Sequence, residues 1–155
     1  MPVSVDGGLA RVNAAAPSIS PMTPSELTEY LHVAIPMSKA MEIQATDTSP
    51  EAITIEAPHG PNITHEGTVF GGSLTALALL AGFAAVLNRL RADGHPQRVV
   101  VQRHAYSYDH PATTDVATRA SIDPERWSRL VWPYPAAISG ASPSMSRLKT
   151  PLAVR

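Results

Sequence analysis

The sequence predicts an α+β domain built on one long buried helix. Two observations carry this. Val69 to Leu87 contains no charged residue, and a helix that is apolar all round is buried or lies in a membrane. Ahead of it, Met41, Ile43 and Ala45 alternate with Glu42, Gln44 and Thr46, and Ile53, Ile55 and Ala57 alternate with Thr54 and Glu56. That period of two belongs to a hairpin with one buried and one solvated face.

Composition narrows the function classes. With 155 residues the chain holds one domain, or one domain with tails. A net charge of −1 and scattered basic residues give no nucleic-acid footprint. The absence of cysteine excludes disulfides and thiolate metal sites. The histidines show no paired-ligand spacing, and no metal or cofactor is expected. The N-terminus has no basic segment followed by an apolar run, so a cytoplasmic location is the expectation. The Val69–Leu87 run is long enough to span a bilayer. It is rich in Ala, Gly, Ser and Thr, and no Trp or Tyr marks its ends. A buried central helix is therefore the preferred reading, without a membrane span.

In chain order, residues 1–22 are Gly, Ala, Ser, Pro and Val without periodicity and read as a disordered leader. Thr23 is then a good N-cap, Pro24 suits the first turn and Glu26 completes a capping box. Leu27, Tyr30 and Leu31 form one apolar stripe, and Ile35-Pro36 stops the helix. Asp47-Thr48-Ser49-Pro50-Glu51 turns the hairpin. Pro58, Gly60 and Pro61 break its second strand and lead into a polar loop. The long helix runs from about Gly71 to Ala92 and ends at Asp93-Gly94-His95-Pro96. Arg98 to Tyr108 is β-rich, Asp115 to Ile122 is a shorter strand, and Asp123-Pro124-Glu125 starts a helix with Trp127, Leu130 and Val131 on its apolar side. Residues 132–155 carry four prolines among serines and read as an irregular tail. The folded domain is accordingly 23–131.

The join between loop and long helix is the candidate site. The first N–H groups of a helix lack internal partners, and the dipole is positive there. Gly71 and Gly72 let a ligand oxygen approach that backbone closely. Asn62, His65 and Glu66 lie just before them. Each residue keeps a plainer reading. The glycines also permit close packing, Asn62 also bonds its own loop, and His65 also serves as a structural donor. Glu66 also complements the helix dipole, and Ser73 also satisfies a first-turn amide. No G-x-S-x-G elbow surrounds Ser73, so a serine nucleophile is not expected. Tyr106, Tyr108 and Asp109 read as strand and turn residues.

The phrases IPMSKAMEI (Ile35–Ile43), APHGPNITHEGTVFGGSL (Ala57–Leu74), LAGF (Leu80–Phe83) and YDHPATTD (Tyr108–Asp115) sharpen this reading. Together they resemble the hot-dog thioesterase domain of the YiiD C-terminal type, which bacteria carry alone or fused behind a GNAT-type acetyltransferase. The resemblance covers roughly residues 25–126, and N-x-x-H-x-G-T-x-F-G-G-S-L is its most specific run. It implies a hot-dog fold, a curled antiparallel sheet wrapped around one long central helix. It also implies an acyl-CoA or acyl-carrier thioester substrate and a homodimer or dimer of dimers with sites at the interface. The thioester carbonyl would lie on Gly71 and Gly72, beside Phe70 and Ser73. Many relatives have His where Phe70 stands and a carboxylate where Leu77, Leu79 and Leu80 stand. The acid or base would then be Glu66, His65 or a residue of the partner subunit, with Asn62 aligning water. The alternatives are a non-catalytic acyl or CoA binder, or a degenerate paralogue. The fold also needs two strands after Ile122, and the tail does not alternate. The last strands are thus expected to be missing, as in a truncated or frame-shifted copy.

Overall fold

The helix expected after Thr23 is α1, Pro24–Ala34, in a computed structural model that describes residues 20–94, 98–101, 103–131 and 153–154. Its capping box is formed in both directions. Thr23 Oγ1 accepts from the Glu26 N–H, and the Glu26 carboxylate accepts from the Thr23 N–H at 2.8 Å. Leu27 and Leu31, one turn apart, are fully buried. Ile35 leaves the helical region before Pro36, which opens the short α2, Pro36–Ala40. The Ile43 N–H then closes back on the Ser38 carbonyl at 3.0 Å, with Glu42 at φ 55. That left-handed residue turns the chain into the sheet.

The sheet is antiparallel in the order β1 (Gln44–Thr48), β2 (Ala52–Ala57), β3 (Val116–Ser121), β4 (Ala153–Val154). A bulge between Ala45 and Asp47 shifts the β1–β2 register. The alternating positions of the hairpin behave as expected: Ile43, Ala45, Ile53, Ile55 and Ala57 are all buried. α1 covers the outer edge of β1. The Ala45 N–H donates to Thr28 Oγ1 at 2.9 Å, and His32 Nε2 donates to the Ile43 carbonyl at 2.8 Å. A carbonyl only accepts, so this ring nitrogen carries the hydrogen. Backbone groups that would template another strand are thereby used up.

The long helix is α3, Gly71–Ala92, with the bounds the sequence suggested. Leu77, Leu80, Ala81, Ala84 and Ala85 pack with Ile43, Ile53, Ile55, Ala120 and the α1 leucines into one core. Burial is uneven along the helix. From Leu77 onward most positions are closed, whereas Gly72 is exposed and Gly71 and Ser73–Ala76 are half-buried. By length and composition α3 also passes for a membrane-crossing helix, and 56% of its most apolar window is buried here. Its one buried polar side chain is Asn88, whose Oδ1 accepts the Met22 N–H at 2.6 Å. α4, Pro124–Val131, docks on the far end of α3. There Trp127 packs on Val86 and Leu90, and its indole N–H reaches Asp93 Oδ2 at 2.6 Å.

Two expectations change. Arg98–Tyr108 forms no strand among its described residues, and Val100, Val101, Tyr106 and Tyr108 are exposed. Val and Tyr favour strands because they suit a pleated, half-buried surface. Among the described residues no strand runs beside this segment, and these side chains stay exposed. The tail, expected to supply no strand, contributes β4, which pairs Ala153 with Ser121 and Val154 with Ala120. The leader as far as residue 19 and the tail over 132–152 lie outside the described residues.

Candidate active site at the start of the long helix

The polar loop is a chain of small, interlocked turns. Gly60–Asn62 forms one 3-10 turn, which leaves Asn62 only 2% exposed. Its Nδ2 donates to the Met41 carbonyl at 3.0 Å and to the Pro58 carbonyl at 2.8 Å. Its own backbone carbonyl accepts the Phe70 N–H at 2.7 Å. One residue thus ties the α2–β1 turn, the end of β2 and the entry to α3 together. Both amide hydrogens are engaged, and Oδ1 is buried without a hydrogen-bond partner.

The next turn is pinched by an Ile63–Val69 bridge and by the Thr64 N–H on the Thr68 carbonyl at 2.8 Å. Gly67 closes it at φ 75, in the left-handed region that favours glycine. His65 and Glu66 occupy the tip. Their side chains are 90% and 74% exposed and stand 3.8 Å apart, a separation at which an exposed pair adds little stability. The base of the turn is anchored to the YDHPATTD segment. The Val69 N–H donates to the Ala112 carbonyl at 2.8 Å, and the His59 N–H donates to Asp115 Oδ1 at 2.8 Å. His59 Nε2 completes the frame on the Gly67 carbonyl at 2.9 Å.

α3 begins after Phe70, which is extended and makes no side-chain cap. The N–H groups of Ser73 and Leu74 both reach the Phe70 carbonyl, at 2.9 and 3.1 Å. Those of Gly71 and Gly72 have no partner among the described residues. Two donors at the positive end of a 22-residue helix are therefore available to an outside oxygen. The packing reading of the glycines has direct support. A Cβ on Gly72 would meet the Phe70 ring at 2.2 Å, and one on Gly71 would meet the Tyr108 ring at 3.2 Å. Phe70 and Tyr108 are more than half exposed, and Tyr106 stands edge-on to Tyr108 with ring centroids 4.8 Å apart. An open aromatic rim thus surrounds the two free amides.

The structure brings Phe70, Gly71, Gly72 and Ser73 together at this point. It places His65 and Glu66 on the adjoining turn and Asn62 beneath it. Sequence reasoning missed Tyr108 and Thr75. The Tyr108 hydroxyl donates to the Gly71 carbonyl at 2.8 Å and also bonds the Thr75 hydroxyl. Thr75 lies four residues after Gly71, on the same helix face, which is the one signal that pointed to it. The helix interior carries no acid: Leu77 and Leu80 are buried core residues. A separate surface depression, lined by Glu29, His32, Lys39 and Gln44 among others, involves none of the helix-start residues.

Comparison with known proteins agrees with this architecture. No curated protein matches the sequence. Among solved structures, a protein of unknown function from Chlorobaculum tepidum superposes with a TM-score of 0.69 at 19% identity, over 88% of this chain and 92% of that one. PA5026 from Pseudomonas aeruginosa, described as a "Probable Thioesterase", superposes at 0.58 with 25% identity, over 72% and 73%. The "putative thioesterase from Shewanella oneidensis" superposes at 0.61 with 23% identity, over 63% and 72%. These likenesses identify the hot-dog fold. The family model described as "Putative thioesterase (yiiD_Cterm)" matches residues 24–140, the greater part of the sequence, and the chain therefore belongs to the YiiD C-terminal family.

Proposed function

We propose that the protein hydrolyses the thioester of an acyl-CoA or acyl-carrier substrate, with the carbonyl oxygen held by Gly71 and Gly72. The observation that carries this reading is the pair of amides, without a partner among the described residues, that opens a helix whose body is buried. As water adds to the carbonyl carbon, the oxygen gains negative charge. Two N–H donors and the helix dipole oppose that charge, and each such donor is worth about 10²–10³ in rate. The proton leaving the water goes to Glu66 or His65, the titratable side chains on the adjoining turn. The C–S bond then breaks, and the thiolate leaves with a proton returned by the same pair. Ser73 and the Phe70 ring flank the bound oxygen. Asn62 acts through the backbone it holds, since both its amide hydrogens are already engaged.

The rim is open in a single chain, and we assign its cover to a second copy. Phe70, Tyr106 and Tyr108 at the rim, and Val100 and Val101 further along the segment toward the far end of the helix, are exposed large apolar residues, the composition of an interface rather than of a solvated surface. A cytoplasmic location fits the substrate class. The second reading is a non-catalytic acyl or CoA binder. It is favoured by the high exposure of the His65–Glu66 pair and by leucines where the helix would carry an acid.

A panel of acyl-CoAs assayed by thiol release separates the two. Turnover by the wild-type chain is expected, with Glu66→Gln plus His65→Ala lowering kcat by about 10²–10⁴. Turnover that survives the double substitution removes those residues from the mechanism. Binding without turnover establishes the second reading.

A further inference from the structure

We propose that Tyr108 is a positioning residue for this site, acting on the Gly71–Gly72 peptide rather than on substrate. The inference rests on the thioesterase reading above and adds a residue to it. The key is which peptide the hydroxyl touches. Tyr108 Oη donates to the Gly71 carbonyl at 2.8 Å. That carbonyl belongs to the same planar amide as the Gly72 N–H, one of the two donors left without a partner among the described residues. Amide resonance couples the two ends: drawing electron density toward the oxygen leaves the nitrogen more positive. A hydrogen bond accepted at one end therefore strengthens the donor at the other.

The network has a defined direction. A phenol has one hydrogen, and Tyr108 commits it to the Gly71 carbonyl. The Thr75 hydroxyl, also bonded to Tyr108 Oη, must then be the donor in that pair. A threonine in a helix ordinarily bonds back to the carbonyl four residues earlier, which for Thr75 is Gly71. Here the tyrosine occupies that acceptor, and the threonine supports the tyrosine. The relay runs from the Thr75 hydroxyl to the Tyr108 hydroxyl, through the Gly71–Gly72 amide, to the incoming oxygen. The rings hold it in register. Tyr106 meets Tyr108 edge-on at 4.8 Å, and the Tyr108 ring lies against Gly71 so closely that a Cβ there would stand 3.2 Å from it.

The test is Tyr108→Phe, which keeps the ring contacts and removes only the hydroxyl. A neighbouring hydrogen bond strengthens a bond by about 10–30%. Applied to a donor worth about 10²–10³, this lowers kcat about two- to eight-fold with KM unchanged. Thr75→Val is expected to act in the same direction and less strongly, and Thr75→Ser to restore the wild-type kcat. An independent readout needs no substrate. In the free protein the Gly72 amide 15N resonance shifts in Tyr108→Phe, while that of Gly94 at the other end of the helix stays in place. An unmoved Gly72 resonance with unchanged kcat overturns the proposal, and so does a raised KM with kcat intact. If the wild-type chain turns over no thioester, the hydrolase reading fails, and the Gly72 resonance alone decides the role of Tyr108.

Discussion

At the scale of single residues, Gly72 has two duties that one substitution can separate. Its missing Cβ leaves room for the Phe70 ring, and it leaves the amide open. The methyl group would meet only ring atoms of a side chain that is more than half exposed, so Gly72→Ala is expected to fold with a melting temperature close to wild type. Its kcat should fall by at least about ten-fold, because the methyl group or the displaced ring shields a donor worth about 10²–10³. Gly72→Ala combined with Phe70→Ala tells which: recovered turnover implicates the ring, and continued loss implicates the methyl group. The glycines were legible in the sequence as an opening of the backbone, since a charge-free run follows them. The Tyr108 ring that packs against Gly71 was not, because it comes from a segment 37 residues away. Asn62 was legible as a motif residue but not as a buried clamp. Asn88, the polar residue that follows the charge-free run, gave no hint that it receives the Met22 N–H.

At the scale of elements, local chemistry was the reliable guide. Thr23, Pro24 and Glu26 announced α1, and the capping box is formed in full. It also carries a pH dependence. The Thr23 backbone N–H, and then its hydroxyl, hold the Glu26 carboxyl below its ordinary value. A carboxylate whose pKa is lower in the folded state adds stability above its unfolded value and loses it as pH falls through the folded one. The melting temperature should therefore decline on acidification below the usual glutamate range. In Glu26→Gln, whose amide still fills the box but does not titrate, that component of the decline should be absent. Parallel melting curves for the two proteins at every pH would show that the cap has no electrostatic part. Where an element depends on a distant partner, local chemistry misleads. Residues 98–108 have strand composition, but a strand needs another beside it, and none is described there.

At the scale of the whole molecule, the hot-dog plan was legible because helix, hairpin, long helix and strand come in that order, each with its own stop signal. The extent of cover over α3 was not legible, since it depends on which surfaces meet. The sheet and α1 close the helix from Leu77 onward and leave its first turns partly open. That open end also holds the free amides and the exposed rings, so the proposed site and the unfinished surface coincide. If a second copy completes both, activity and assembly share one dependence on concentration. Specific activity in the thiol-release assay should fall as the protein is diluted, and the midpoint should match that of dimer dissociation measured by sedimentation. Val100→Asp, a buried charge only if the interface forms, should shift both midpoints to higher concentration by at least about ten-fold, the equivalent of about 1.4 kcal/mol of interface. It should leave the monomer's melting temperature unchanged, because Val100 is 58% exposed in the single chain. Constant specific activity across a dilution that dissociates the dimer would place the whole site within one chain.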